Sequence, residues 1–120
     1  MTHITTHVLD ATTGRPAAGM GVVLAEASGA SLVAEAAGAI LAHGTTGPDG
    51  RLALGPDRLP SGDYTLTFLS GEYFVAQGMD TFYPFVTVTF VVEVHDDGTS
   101  PHYHVPLLLS PFAYSTYRGS

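Results

Sequence analysis

Cysteine is absent from the chain. Disulfides therefore hold nothing together, and thiolate metal sites and cysteine nucleophiles are excluded. Lysine is missing too, which leaves Arg15, Arg51, Arg58 and Arg118 as the cationic side chains against eleven carboxylates, a formal charge of −7. A phosphate-neutralising surface is hard to build from that balance, so nucleic acid and anionic membrane are poor partners. No stretch reaches the ~18 apolar residues of a membrane span, and Met1-Thr2-His3-Ile4 has no basic segment leading into an apolar one. A cytoplasmic protein is the expectation. Phosphate-loop and dinucleotide-binding patterns are missing, so a nucleotide cofactor has no cradle in the sequence.

What is present is a succession of short Val-, Thr-, Phe- and Tyr-rich runs broken by Gly, Pro and Asp. That is the pattern of an all-β protein rich in turns, and 120 residues suit a single domain, 1–120, with its own core. Ile4 to Leu9 alternates, so Ile4, Thr6 and Val8 face one way and Thr5, His7 and Leu9 the other. A second strand is expected from Met20 to Glu26. Residues 28–42 are Ala-rich yet interrupted by Gly29 and Gly38, and read as a strand or irregular strand. Gly47-Pro48-Asp49-Gly50 is a strong turn signal that delivers Arg51 to the start of a short strand ending at Leu54. Asp63 to Leu69 and Phe85 to Val94 alternate again. Gly71 to Gly78 reads as the one short helix, with Ser70 as its N-cap. Asp96-Asp97-Gly98 turns the chain into His102 to Leu109, and a last strand runs from Ala113 to Tyr117. Short strands with turns every ~8–12 residues point to a β-sandwich. Val105 to Leu109 is apolar on both faces, which suggests that another subunit covers its outer side.

His102 and His104 lie two apart in a predicted strand and so project to one face. Imidazole exchanges protons near neutral pH, and the pair fits structural hydrogen bonding, proton transfer or, with His7 or His95 as a third ligand, a metal site. Arg51 beside its turn supplies a guanidinium able to hold a carbonyl oxygen as it gains charge. Ser110, Ser115 and Ser120 are nucleophile candidates, but no nucleophile-elbow pattern surrounds them. The end, Tyr117-Arg118-Gly119-Ser120, combines a phenol, a scarce cation and a hydroxyl next to a carboxylate, and is expected to dock rather than fray.

Thr6-His7-Val8-Leu9-Asp10 with Gly14-Arg15-Pro16-Ala17, Thr46-Gly47-Pro48-Asp49-Gly50-Arg51, and His102 through Pro111 together resemble the transthyretin-related family. Tyr114 to Ser120 resembles the C-terminal signature of its enzyme branch, the 5-hydroxyisourate hydrolases. Departures from the family pattern fall at Phe85 and at Phe112-Ala113. The resemblance implies an all-β, transthyretin-like β-sandwich of two four-stranded sheets with one short helix. It implies a homotetramer with active sites at the dimer–dimer interface, acting on 5-hydroxyisourate as a small-molecule substrate, and no metal or organic cofactor. Matched position by position, it implies catalytic roles for His7, Arg51, His104 and Ser120. Substrate contacts fall to His7, Arg51, Tyr117 and Arg118, with His102 behind the site. His3, His43 and His95 match no functional position.

Overall fold

Alternation in the first run produces a strand with one dry side. Over β1 (Ile4–Asp10), Ile4, Thr6, Val8 and Asp10 are buried while Thr5, His7 and Leu9 are half-exposed. The two polar residues on the dry side have partners. Thr6 donates its hydroxyl to the Val105 carbonyl at 2.6 Å, and Asp10 accepts from the Thr12 N–H and the Tyr73 hydroxyl, each at 2.9 Å. In this computed structural model the described residues are 4–27, 37–98 and 100–119.

After β1 come the two-residue β2 (Arg15–Pro16), β3 (Gly21–Ala27), β4 (Ala37–Thr45), β5 (Arg51–Leu54) and β6 (Gly62–Phe68). The helix α1 (Ser70–Val75) is next, then β7 (Val86–Val92), β8 (Tyr103–Ser110) and β9 (Ala113–Thr116). One sheet runs β2-β1-β8-β9 with β5 also on β1, and the other runs β4-β3-β6-β7. Because β5 pairs with Ile4–His7 and β2 with Leu9–Asp10, they lie end to end along one edge of β1. The first sheet thus has five strands but is four strands wide. β1 and β8 pair in parallel, from Ile4 opposite Tyr103 to Asp10 opposite Leu109. A parallel neighbour requires a long crossover, and here the whole second sheet supplies it.

The inner faces meet in a core that includes Ile4, Val8, Leu24, Leu66, Phe68, Leu107 and Leu109, each at most 1 % exposed, with Phe74 from α1 also fully buried. Of the Ala-rich segment, residues 28–36 lie outside the described residues, while Ala37 onward forms strand β4. The helix differs from expectation. Ser70 is its first residue rather than its N-cap, Leu69 holds the cap position without a side-chain bond, and the buried Ser70 hydroxyl has no hydrogen-bond partner. Tertiary packing overrides the local capping preference, because Phe74 fills the core and Tyr73 reaches Asp10. The β7 strand is shorter than its apolar run: Phe85 and Val94 fall outside it and are exposed. Among the described residues no helix is long and apolar enough to cross a membrane.

Candidate active site

The turn before β5 closes with Gly50 N–H donating to the Gly47 carbonyl at 2.9 Å, and Gly47 N–H to the Arg51 carbonyl at 3.0 Å. Gly50 has φ +76°, and a side chain there would run into the Val8 carbonyl. Only glycine fits that position, where the turn lies against β1. The Val8 N–H donates to the Gly50 carbonyl at 2.9 Å, and this contact sets the register that puts Arg51 opposite His7.

Asp49 serves both neighbours. Its carbonyl accepts from His7 Nε2 at 3.0 Å, so that nitrogen carries a proton. Its carboxylate accepts the Arg51 N–H at 3.0 Å and stands 3.9 Å from Arg51 Nε, an exposed and loose ion pair.

On β8, Tyr103, Val105 and Leu107 face the core, so His104 points to the outer side with Thr5, its neighbour on β1. Thr5 Oγ1 lies 2.9 Å from His104 Nδ1 and 2.7 Å from His102 Nε2. The opposite edge of the His104 ring meets Gly119. Gly119 N–H donates to the His104 carbonyl at 2.9 Å, and a Cβ at 119 would come within 2.5 Å of His104 Cδ2. With Nδ1 turned to Thr5 and Cδ2 to Gly119, the Cε1–Nε2 tip is the free end of the ring. Burial lowers the His104 pKa, followed by the positive fields of Arg51, His7 and His102, while a backbone hydrogen bond at Thr5 works against them. The ring is thereby held neutral at neutral pH.

Register orders the outer face into rows. His7 sits between Arg51 and Pro106, and Thr5 between Ala53 and His104. Leu107 opposite Thr116 and His104 opposite Gly119 share one register, which sets Tyr117 across from Pro106 and Arg118 across from Val105. One row therefore reads Arg51, His7, Pro106, Tyr117, and the next Ala53, Thr5, His104, Gly119. Strands in such rows are ~4.8 Å apart, and successive residues on one face ~7 Å. His7, Arg51, His104 and Tyr117 are thus brought to one face.

Arg118 is not brought there. It alternates to the core side, its guanidinium carbon 4.9 Å from the centre of the Tyr103 ring, a cation–π contact that braces the terminal segment. Both side chains line a cleft of about 320 Å³ together with Val88 and Phe90. Ser120 and His3 lie outside the described residues. His43, on the other sheet, and His95, beyond β7, are exposed. Among the described residues no three of His, Asp and Glu gather as ligands for a metal ion.

Sequence reasoning missed Thr5, Asp49 and Gly119. Thr5 carried a usable signal, since it lies two residues from His7 on the same strand face. Asp49 and Gly119 carried none beyond adjacency to Arg51 and the terminal motif. Chemically, the face offers a neutral imidazole for taking a proton from water, a second imidazole of fixed orientation, and an exposed guanidinium for a developing oxyanion.

The HIUase/Transthyretin family model matches residues 4–119. A 5-hydroxyisourate hydrolase of Salmonella dublin is 43% identical over 119 residues, covering 98% of this chain and 80% of that one. The structure of Klebsiella pneumoniae 5-hydroxyisourate hydrolase superposes with a TM-score of 0.80 at 33% identity, over 100% of this chain and 94% of that one. Sea bream transthyretin, solved in complex with thyroxine, superposes with a TM-score of 0.81 at 25% identity, over 98% and 94%. The chain belongs to the HIUase/transthyretin family.

Proposed function

We propose that this chain is a 5-hydroxyisourate hydrolase, opening the cyclic amide to 2-oxo-4-hydroxy-4-carboxy-5-ureidoimidazoline on the route from urate to S-allantoin. The observation that carries the reading is His104, held neutral on one exposed face with His7 and Arg51. A carrier pocket has no use for that set. Relatives across nearly the full chain bear the hydrolase name.

In the proposed reaction His104, assisted by His7, takes a proton from water as the water oxygen bonds to the amide carbonyl carbon. Arg51 holds the carbonyl oxygen while it is negative. The carbon–nitrogen bond then breaks, the leaving nitrogen receives the proton from the imidazole, and a carboxylate remains. Tyr117 borders the substrate ring, and Ser120 closes and orients the site. No metal or organic cofactor takes part.

The functional assembly in this reading is a homotetramer with active sites between dimers. Its support is the outer face of the first sheet, where Leu108 is 38% exposed on the same face as the site. The test generates 5-hydroxyisourate from urate with urate oxidase and monitors its decay. Purified protein should accelerate it, and His104→Ala should return it to the buffer rate. A wild-type rate no faster than buffer, or full activity in His104→Ala, sinks the assignment. Activity that chelators remove and zinc restores would replace it with a metal mechanism.

A further inference from the structure

Thr5 holds two imidazoles with one hydroxyl, and that hydroxyl has a single proton. It cannot donate to both His104 Nδ1 at 2.9 Å and His102 Nε2 at 2.7 Å, so at least one ring must donate to it. Besides the arrangement in which both rings donate to the oxygen and its proton goes elsewhere, two chained arrangements satisfy both contacts. In one, His104 Nδ1–H donates to Thr5 and Thr5 donates to His102 Nε2. In the other the chain runs backwards, His104 Nδ1 accepts, and the proton of a neutral His104 ring sits on Nε2.

These arrangements differ at the atom that matters. The free end of the His104 ring carries Nε2, because Thr5 occupies the Nδ1 edge and Gly119 the Cδ2 edge. Of the two chains, only the first leaves a lone pair there for a water proton. The reversed arrangement presents an N–H and no base.

We propose that Thr5 is a positioning residue that fixes the tautomer of His104: Nδ1–H of His104 donates to Thr5 Oγ1, whose proton goes to His102 Nε2, leaving His104 Nε2 as the open base. The inference rests on the proposed hydrolase reading for its catalytic consequence, though not for its geometry. His102 thereby acquires a role, to accept the Thr5 proton and set the direction of the chain.

The primary test is nitrogen NMR of the ¹⁵N-histidine-labelled wild-type protein without substrate. His104 is expected to show a protonated Nδ1 and an unprotonated Nε2, and His102 an unprotonated Nε2. A protonated Nε2 on neutral His104 overturns the proposal. The second test is kinetic. Thr5→Val keeps the branched shape and removes the hydroxyl, and should lower kcat by roughly tenfold or more with KM little changed, part of the ~10²–10⁴ that a positioned base supplies. Thr5→Ser should restore most of kcat. Unchanged kcat in Thr5→Val overturns the positioning role. An inactive wild-type protein with the expected nitrogen pattern defeats the hydrolase assignment and leaves the hydrogen-bond chain standing.

Discussion

At the scale of the residue, the His104 ring is constrained on both edges and lowered in pKa by burial and by Arg51, His7 and His102. In the proposed reaction its neutral form is the base, so kcat/KM should be flat above its pKa and fall as pH drops through a value below the usual histidine 6.5. Arg51→Gln removes the strongest of the positive fields on the ring. The acid limb should then move upward toward the usual value, while the lost oxyanion donor adds about 2.7–4 kcal/mol to the barrier. A pH–rate profile of both proteins checks the direction, and a limb that moves down in Arg51→Gln contradicts it. Gly119 gives the second residue-level expectation. A methyl there would lie 2.5 Å from His104 Cδ2, so Gly119→Ala must shift the ring or the terminal segment. Activity should fall by about tenfold or more as the base is misplaced. The melting temperature should hold nearly constant, since the change touches one isolated bridge at the edge of the sheet. Equal activity would show that the contact is irrelevant.

At the scale of the element, α1 shows how packing overrides local preference. Six residues without a side-chain cap are far too short to be stable alone. Fully buried Phe74 and the Tyr73–Asp10 hydrogen bond hold it against the sandwich. The sequence reads Ser70 as a cap, whose replacement by Ala would cost about 1 kcal/mol. The structure instead buries its hydroxyl without a partner, a state that itself costs about 1–3 kcal/mol. Ser70→Ala should therefore leave stability unchanged or raise it, read as the midpoint of urea unfolding. A clear loss would restore the capping role. Strands were more legible than the helix. The period of two in β1 and β6 comes directly from residues such as Ile4, Val8, Tyr64 and Leu66, whose burial leaves the sheet no alternative register. The ends of β7 were less so, because exposed Phe85 and Val94 extend the apolar pattern beyond the ladder.

At the scale of the molecule, the proposed tetramer makes the outer face of the first sheet an internal surface. Leu108 is 38% exposed on that face in the single chain, so Leu108→Asp leaves the new carboxylate in water and costs the isolated fold little. In a tetramer the same charge would be buried unpaired, which is strongly unfavourable. Light scattering should show a smaller particle with an intact far-ultraviolet spectrum, and hydrolysis should fall with it. A tetramer of full activity in Leu108→Asp would remove that face from the interface.

The sequence by itself determined the β character, the turn at Gly47–Gly50 and the family. Alternation, glycine geometry and motif identity are local properties that survive without coordinates. It also named His7, Arg51, His104 and Tyr117, which fold onto one face. Only the tertiary structure decided the parallel pairing of β1 with β8, which no local signal specifies because the partners are joined through the whole second sheet. That pairing puts Thr5 against His104, while the antiparallel pairing of β1 with β5 puts His7 beside Arg51. The structure also turned Arg118 away to Tyr103, since a strand sends successive side chains to opposite faces and only the register says which faces the site.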